Sequence, residues 1–171
     1  MDFLALARER FSVRNYAPTP VEEEKVKAIL EAASLAPTGC NRQPQRLLVV
    51  DDPQVLEAIR RCTPCQFHAP LTIVVCYDRH GCWVNPEGEP IGETDAAIVT
   101  THMMLEAASL GLGCCWVAFF DRPKLQQELR IPKELVPVAL LPLGYPAPQA
   151  KPGEGHFQHR PATDFTWRNH F

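Results

Sequence analysis

The chain has 171 residues, enough for one domain with a real core, and an ordinary globular composition of 46% hydrophobic and 22% charged residues. Its formal net charge of −3 argues against a nucleic-acid or anionic-membrane partner. The longest apolar run, 96–113, is broken by Thr100, Thr101, His102, Glu106 and Ser109, so it reads as a buried helix and not a membrane span.

Met1 to Arg10 reads as a short amphipathic helix with Phe3, Leu4, Leu6, Ala7 and Phe11 on one face, unlike the apolar core of an export signal. Without such a signal a cytoplasmic location is expected, with Cys40, Cys62, Cys65, Cys76, Cys82, Cys114 and Cys115 mostly as reduced thiols. Pro18 and Pro20 force a turn, and Glu22, Glu23 and Glu24 suit the start of a second helix that runs to Leu35 before Pro37. Leu47 to Val50 reads as a buried strand. Asp52-Pro53 supplies an N-cap and first-turn proline for a helix through Arg61. A second strand spans Leu71 to Tyr77, and the Gly-, Pro- and Asn-rich stretch 78–92 reads as a loop. The long apolar helix starts at Thr94 or Asp95 and stops at Gly111 or Gly113. Cys114 to Phe120 is expected as a third strand, Asp121-x-Pro123 opens a helix through Leu129, and Val136 to Leu143 makes a fourth strand.

Beyond Gly144-Tyr145-Pro146 the hydrophobic periodicity ends, yet Phe157, Phe165, Trp167 and Phe171 follow. A mobile terminus is normally poor in aromatics, which are typical interface anchors. The arm is therefore expected to pack against something, its own domain or, as the better reading, a second subunit.

Arg10-x-Ser12-x-Arg14 is the clearest chemical signal. Arginine presents a planar fork of donors suited to phosphate, and a hydroxyl between two such residues adds a donor without charge. Alone, the triplet would more often be a solvated helix end. In a chain of negative net charge the basic cluster is local, which points to a small anionic ligand and not a polyanion. Asn41 and Gln43, taken alone, could equally cap a turn. Cys62-x-x-Cys65 is a single pair in a loop-like setting; a zinc site needs four ligands, which Cys76, Cys82 or His68 would have to complete, and no metal is expected. Adjacent Cys114 and Cys115 point to opposite faces of a strand. There is no persuasive acid–base pair and no Gly-rich dinucleotide fingerprint.

Four segments together resemble the nitroreductase family of flavin enzymes: Arg10-x-Ser12-x-Arg14-x-Tyr16; Ala36-Pro37-Thr38-Gly39-Cys40-Asn41-Arg42-Gln43-Pro44; Asp95-Ala96-Ala97 opening the helix that ends Leu110-Gly111-Leu112-Gly113-Cys114-Cys115-Trp116; and Leu143-Gly144-Tyr145-Pro146 with a basic tail residue near Arg160-Pro161. The resemblance covers about residues 2 to 165. It implies an α+β fold, a sheet sandwiched by helices, in a domain-swapped homodimer. Residues 1–146 would form the core and 147–171 an arm of the same domain wrapped on the partner. It implies FMN at the interface, with NADH or NADPH as transient donor and a small-molecule acceptor, and ping-pong kinetics between them. Arg10 and Ser12 would bind the phosphate with Arg160, Phe11 would belong to the same cofactor site, and Arg14 would approach the pyrimidine edge. Pro37, Thr38, Gly39 and Asn41 would come from the partner with Gln43 as support, and Trp116, Val117, Ala118 and Phe119 would run along the ring. No protein residue is expected to be catalytic, because the flavin carries the chemistry. The chain departs from the family at Gln45, where Trp is usual, and in a short 79–93 segment. Phe119 could cover the ring, which leaves a non-catalytic flavin store or sensor as one alternative; a flavin-cleaving or dehalogenating branch is another.

Overall fold

The computed structural model describes residues 2–171 and confirms an α+β architecture. The part of the first helix expected at Met1 lies outside the described residues. Helices α1 (Phe3–Glu9), α2 (Glu23–Leu35), α3 (Pro53–Arg60), α4 (Gly92–Ser109) and α5 (Arg122–Glu128) surround strands β1 (Gln45–Val50), β2 (Leu71–Asp78), β3 (Gly113–Cys114) and β4 (Leu135–Gly144). The strands form one antiparallel sheet in the order β1-β2-β4-β3.

Local chemistry sets the helix starts. The Asp2 carboxylate accepts from the Leu4 and Ala5 amides, Asp52 caps α3 ahead of Pro53, and Asp121 caps α5. The centre of the sheet is covered on both faces, so β2 is buried at every residue but its last, whereas the edge strand β1, expected to be buried, is buried only at Val50 because its outer side has no neighbouring strand. Its odd residues Leu71, Ile73 and Val75 pack with Ala139, Leu141 and Leu143 against α2 and α4. Its even residues Val74 and Cys76 pack with Leu140 against Leu56 and Ile59 of α3 and Leu125 of α5.

The third strand is much shorter than its sequence suggests. Only Gly113 and Cys114 ladder fully, although the same register reappears at Val117 opposite Leu140. Between them the Cys115 amide donates to the Pro142 carbonyl at 3.3 Å, but Pro142 has no N–H to return. A proline on the neighbouring strand thus thins the ladder. The long helix begins earlier than expected, at Gly92, whose position directly against the Tyr77 ring leaves no room for a Cβ.

Helix α1 buries none of its residues: Phe3 and Leu4 are 64% and 58% exposed. The tail holds only two 3-10 turns, Glu154–Phe157 and Ala162–Asp164, and every residue from Phe157 onward is exposed. It does not bury its aromatics in its own domain. No helix among the described residues is long and apolar enough to cross a membrane.

Candidate functional site: an arginine-lined cavity

The segment after α1 is fixed to the sheet edge by the residues between its arginines. The Val13 amide donates to the Cys114 carbonyl at 3.0 Å, and Ser12 bridges Cys114 in parallel. Val13 lies directly on Gly113, where any Cβ would overlap its side chain. The buried Tyr16 hydroxyl donates to the Val13 carbonyl at 2.8 Å and reaches the Pro142 carbonyl at 3.1 Å. Burial pushes its phenol far above the ordinary range, so it stays a neutral donor. The Ala17 amide donates to Tyr145 and the Ala147 amide to Asn15, closing the segment onto the end of β4.

With Val13 and Tyr16 turned inward, Arg10, Phe11, Ser12 and Arg14 line a cavity of about 350 Å³. Its other wall comes from the tail: Gly153, Gly155, His156 and His159. No carboxylate lines it, and the ion pairs among the described residues all lie elsewhere. The Arg10 Nη1 atom is buried without a hydrogen-bond partner, and Arg14 makes only a long contact to the Ser12 carbonyl, 3.4 Å. The nearby thiols add no negative charge. Burial pushes Cys114 up to about 12 and raises Cys115 as well. A buried guanidinium edge that lacks an acceptor is costly unless an anion supplies one. The donor set therefore fits a phosphate.

The Pro37–Gln43 loop is a separate feature and does not line this cavity. Cys40, Asn41 and Gln43 have positive φ of 47°, 52° and 49°, an unusual cluster for residues that are not glycine. The strain is held by specific bonds. The Gly39 amide donates to Asp95 Oδ1 at 2.8 Å, and the Gln43 amide to Thr38 Oγ1 at 3.0 Å. Asp95 is 1% exposed, so the start of α4 grips the loop from within the core. That role is invisible in the sequence, because the two residues are far apart in the chain. Pro37, Asn41 and Gln43 are themselves exposed.

The residues after β3 divide. Trp116 is half-buried against the α4 side of the core, Val117 is buried on the opposite side, and Ala118 and Phe119 are exposed. Phe119 lines a different depression of about 530 Å³ with Arg60, Arg61 and Thr63, and accepts a hydrogen bond from the Thr63 hydroxyl at its carbonyl. Arg160 is exposed and stands outside the lining of the arginine cavity, whereas His156 and His159, which the sequence did not single out, are in it.

Residues 7–67 and 62–145 match the profile of the Nitroreductase family. A solved structure of a nitroreductase family protein from Clostridium difficile 630 superimposes with a TM-score of 0.93 and 36% identity, covering 100% of both chains. A Thermus thermophilus protein named NADH dehydrogenase is 30% identical over 185 residues, covering 89% of this chain and 90% of that protein. A second Clostridium difficile structure, from strain R20291, is described as an FMN-dependent nitroreductase. It is 26% identical with a TM-score of 0.83, over 99% of this chain and 100% of the other.

Proposed function

This chain belongs to the nitroreductase family, and on that premise we propose that it is an FMN-dependent oxidoreductase taking electrons from NADH or NADPH and delivering them to a conjugated acceptor such as a nitroaromatic or quinone. The observation that carries the reading is the half-buried Arg10, which lines a cavity with Ser12 and Arg14 and whose Nη1 is buried with its donors unused. Arg10 and Ser12 would hold the phosphate with charge-assisted hydrogen bonds. Arg14, exposed and free of any carboxylate, would stand at the polar edge of the ring, where a guanidinium stabilises developing negative charge. When bound, FMN supplies the hydride-transfer chemistry, so the chain needs no acid–base pair of its own.

The assembly we propose is a homodimer in which each site takes the Pro37–Asn41 loop, supported by Gln43, from the second copy, while Trp116–Phe119 run beside the ring. The 147–171 arm would keep His156 and His159 on its own chain's cavity and carry its exposed aromatics onto the partner's 1–146 core. Three observations support this. The strained loop does not line its own chain's cavity, α1 buries nothing, and Phe157, Phe165, Trp167 and Phe171 are 73%, 56%, 60% and 96% exposed. Apolar surface of that extent on one chain marks an interaction site.

The experiment is anaerobic mixing of the purified, FMN-loaded protein with NADH or NADPH. Bleaching of the flavin absorbance, restored by a quinone or nitroaromatic, is expected. A flavin that stays oxidised with both nucleotides removes the oxidoreductase reading and leaves a flavin store or sensor.

A further inference from the structure

We infer that His156 and His159 are ligands of the phosphate end of the cofactor, and that they, in place of Arg160, make the tail a selector of phosphorylated over unphosphorylated flavin. The inference rests on the reading of the Arg10 cavity as a phosphate site. His156 sits on the 3-10 turn Glu154–Phe157, half-buried, its ring edge-on to Phe11 at 6.3 Å between centroids. The His159 ring is 6.3 Å from that of His156, and both line the cavity with Arg10, Ser12 and Arg14. Glu154 shares the turn but not the lining, so the imidazoles have no carboxylate beside them there.

Every side chain with a polar group in this cavity carries a hydrogen-bond donor: two guanidinium groups, a hydroxyl and two imidazoles. Without an anion the two guanidinium groups share the cavity with no counter-charge, which is unfavourable. The half-buried His156 and the exposed His159 line the same cavity as Arg10, from the opposite end of the chain. Gly153 and Gly155 leave the turn without side chains where it meets the cavity, so nothing but the imidazoles projects from that wall. The resulting grip recognises a phosphomonoester and is indifferent to the ring.

The test compares FMN, riboflavin and inorganic phosphate on the full chain. In the His156→Phe/His159→Phe double variant, which keeps the aromatic contact to Phe11 and removes both donors, FMN affinity should fall about tenfold while riboflavin affinity holds. The His156→Gln/His159→Gln variant, which keeps an N–H donor at each position, should recover most of the loss. Equal weakening of FMN and riboflavin would reveal a packing role only, and unchanged FMN affinity would make both histidines bystanders; either overturns the inference. Should the wild-type chain bind neither flavin, the functional reading fails separately. The inference is then decided by NMR: imidazole resonances of His156 and His159 that shift with inorganic phosphate and not with chloride of equal ionic strength support it, and resonances unmoved by phosphate overturn it.

Discussion

The segment from Arg10 to Tyr16 and the tail after Ala150 are both irregular chain, and both present donors to the same cavity, yet they are held in opposite ways. In the first, two buried anchors stand among the cavity-lining residues. Val13 and Tyr16 are 2% and 9% exposed, seated on Gly113 and bonded to the sheet edge. In the second, the anchors exist in the sequence but have nothing to sit on, since the four tail aromatics are all more than half exposed. An irregular segment is positioned by what it buries and not by its own secondary structure. The N-terminal wall of the site is complete within one chain, whereas the tail has side chains suited to an interface that only another surface can satisfy.

Deleting residues 151–171 should have the largest effect, because it removes the tail wall and the aromatic anchors together. Sedimentation is expected to show the dimer falling to monomer with loss of bound flavin, and an intact, loaded dimer would break the contrast. Arg10→Ala attacks the rigid wall. Charge-assisted contacts of this kind are worth about 1.5–3 kcal/mol, so FMN affinity should drop tenfold to a hundredfold by fluorescence titration.

Alkaline pH should loosen the sheet that carries the rigid wall. Burial pushes Cys76 and Cys114 up to about 12 in the folded chain, above a free-thiol value near 9. The native state keeps protons that the unfolded state releases. Stability is therefore full below pH about 9 and declines as pH rises toward 12, by about 1.4 kcal/mol per pH unit for each thiol. Urea unfolding at pH 8 and pH 10 measures this, and equal midpoints would contradict it. The smallest effect belongs to Tyr16→Phe, which leaves the ring in place but withdraws the donor shared by the Val13 and Pro142 carbonyls. A loss of about 1 kcal/mol is expected, with FMN affinity falling alongside because the arginines lose their footing.

Much of the fold could be read from local chemistry. Asp52-Pro53 and Asp121-x-Pro123 announce helix starts by their caps, and the unbroken apolar run of β2 announces a strand covered on both faces. The exceptions are long-range. The ladder beside β3 thins because Pro142 sits on the opposing strand, and Gly92, the first residue of α4, must lack a side chain because the Tyr77 ring occupies the space beside it. The site divides likewise. Arg10, Ser12 and Arg14 are close in sequence and meet in one cavity. The bond from Gly39 to Asp95 and the approach of His156 to Phe11 join distant parts of the chain, and no periodicity in the tail marks them.

A crystal structure of the chain with FMN tests the central claim most directly. The phosphate is expected within hydrogen-bond reach of the Arg10 guanidinium and the Ser12 hydroxyl, with the Pro37–Asn41 loop of a second copy over the ring. A phosphate seated away from Arg10, or a ring left facing solvent on a lone chain, would contradict it.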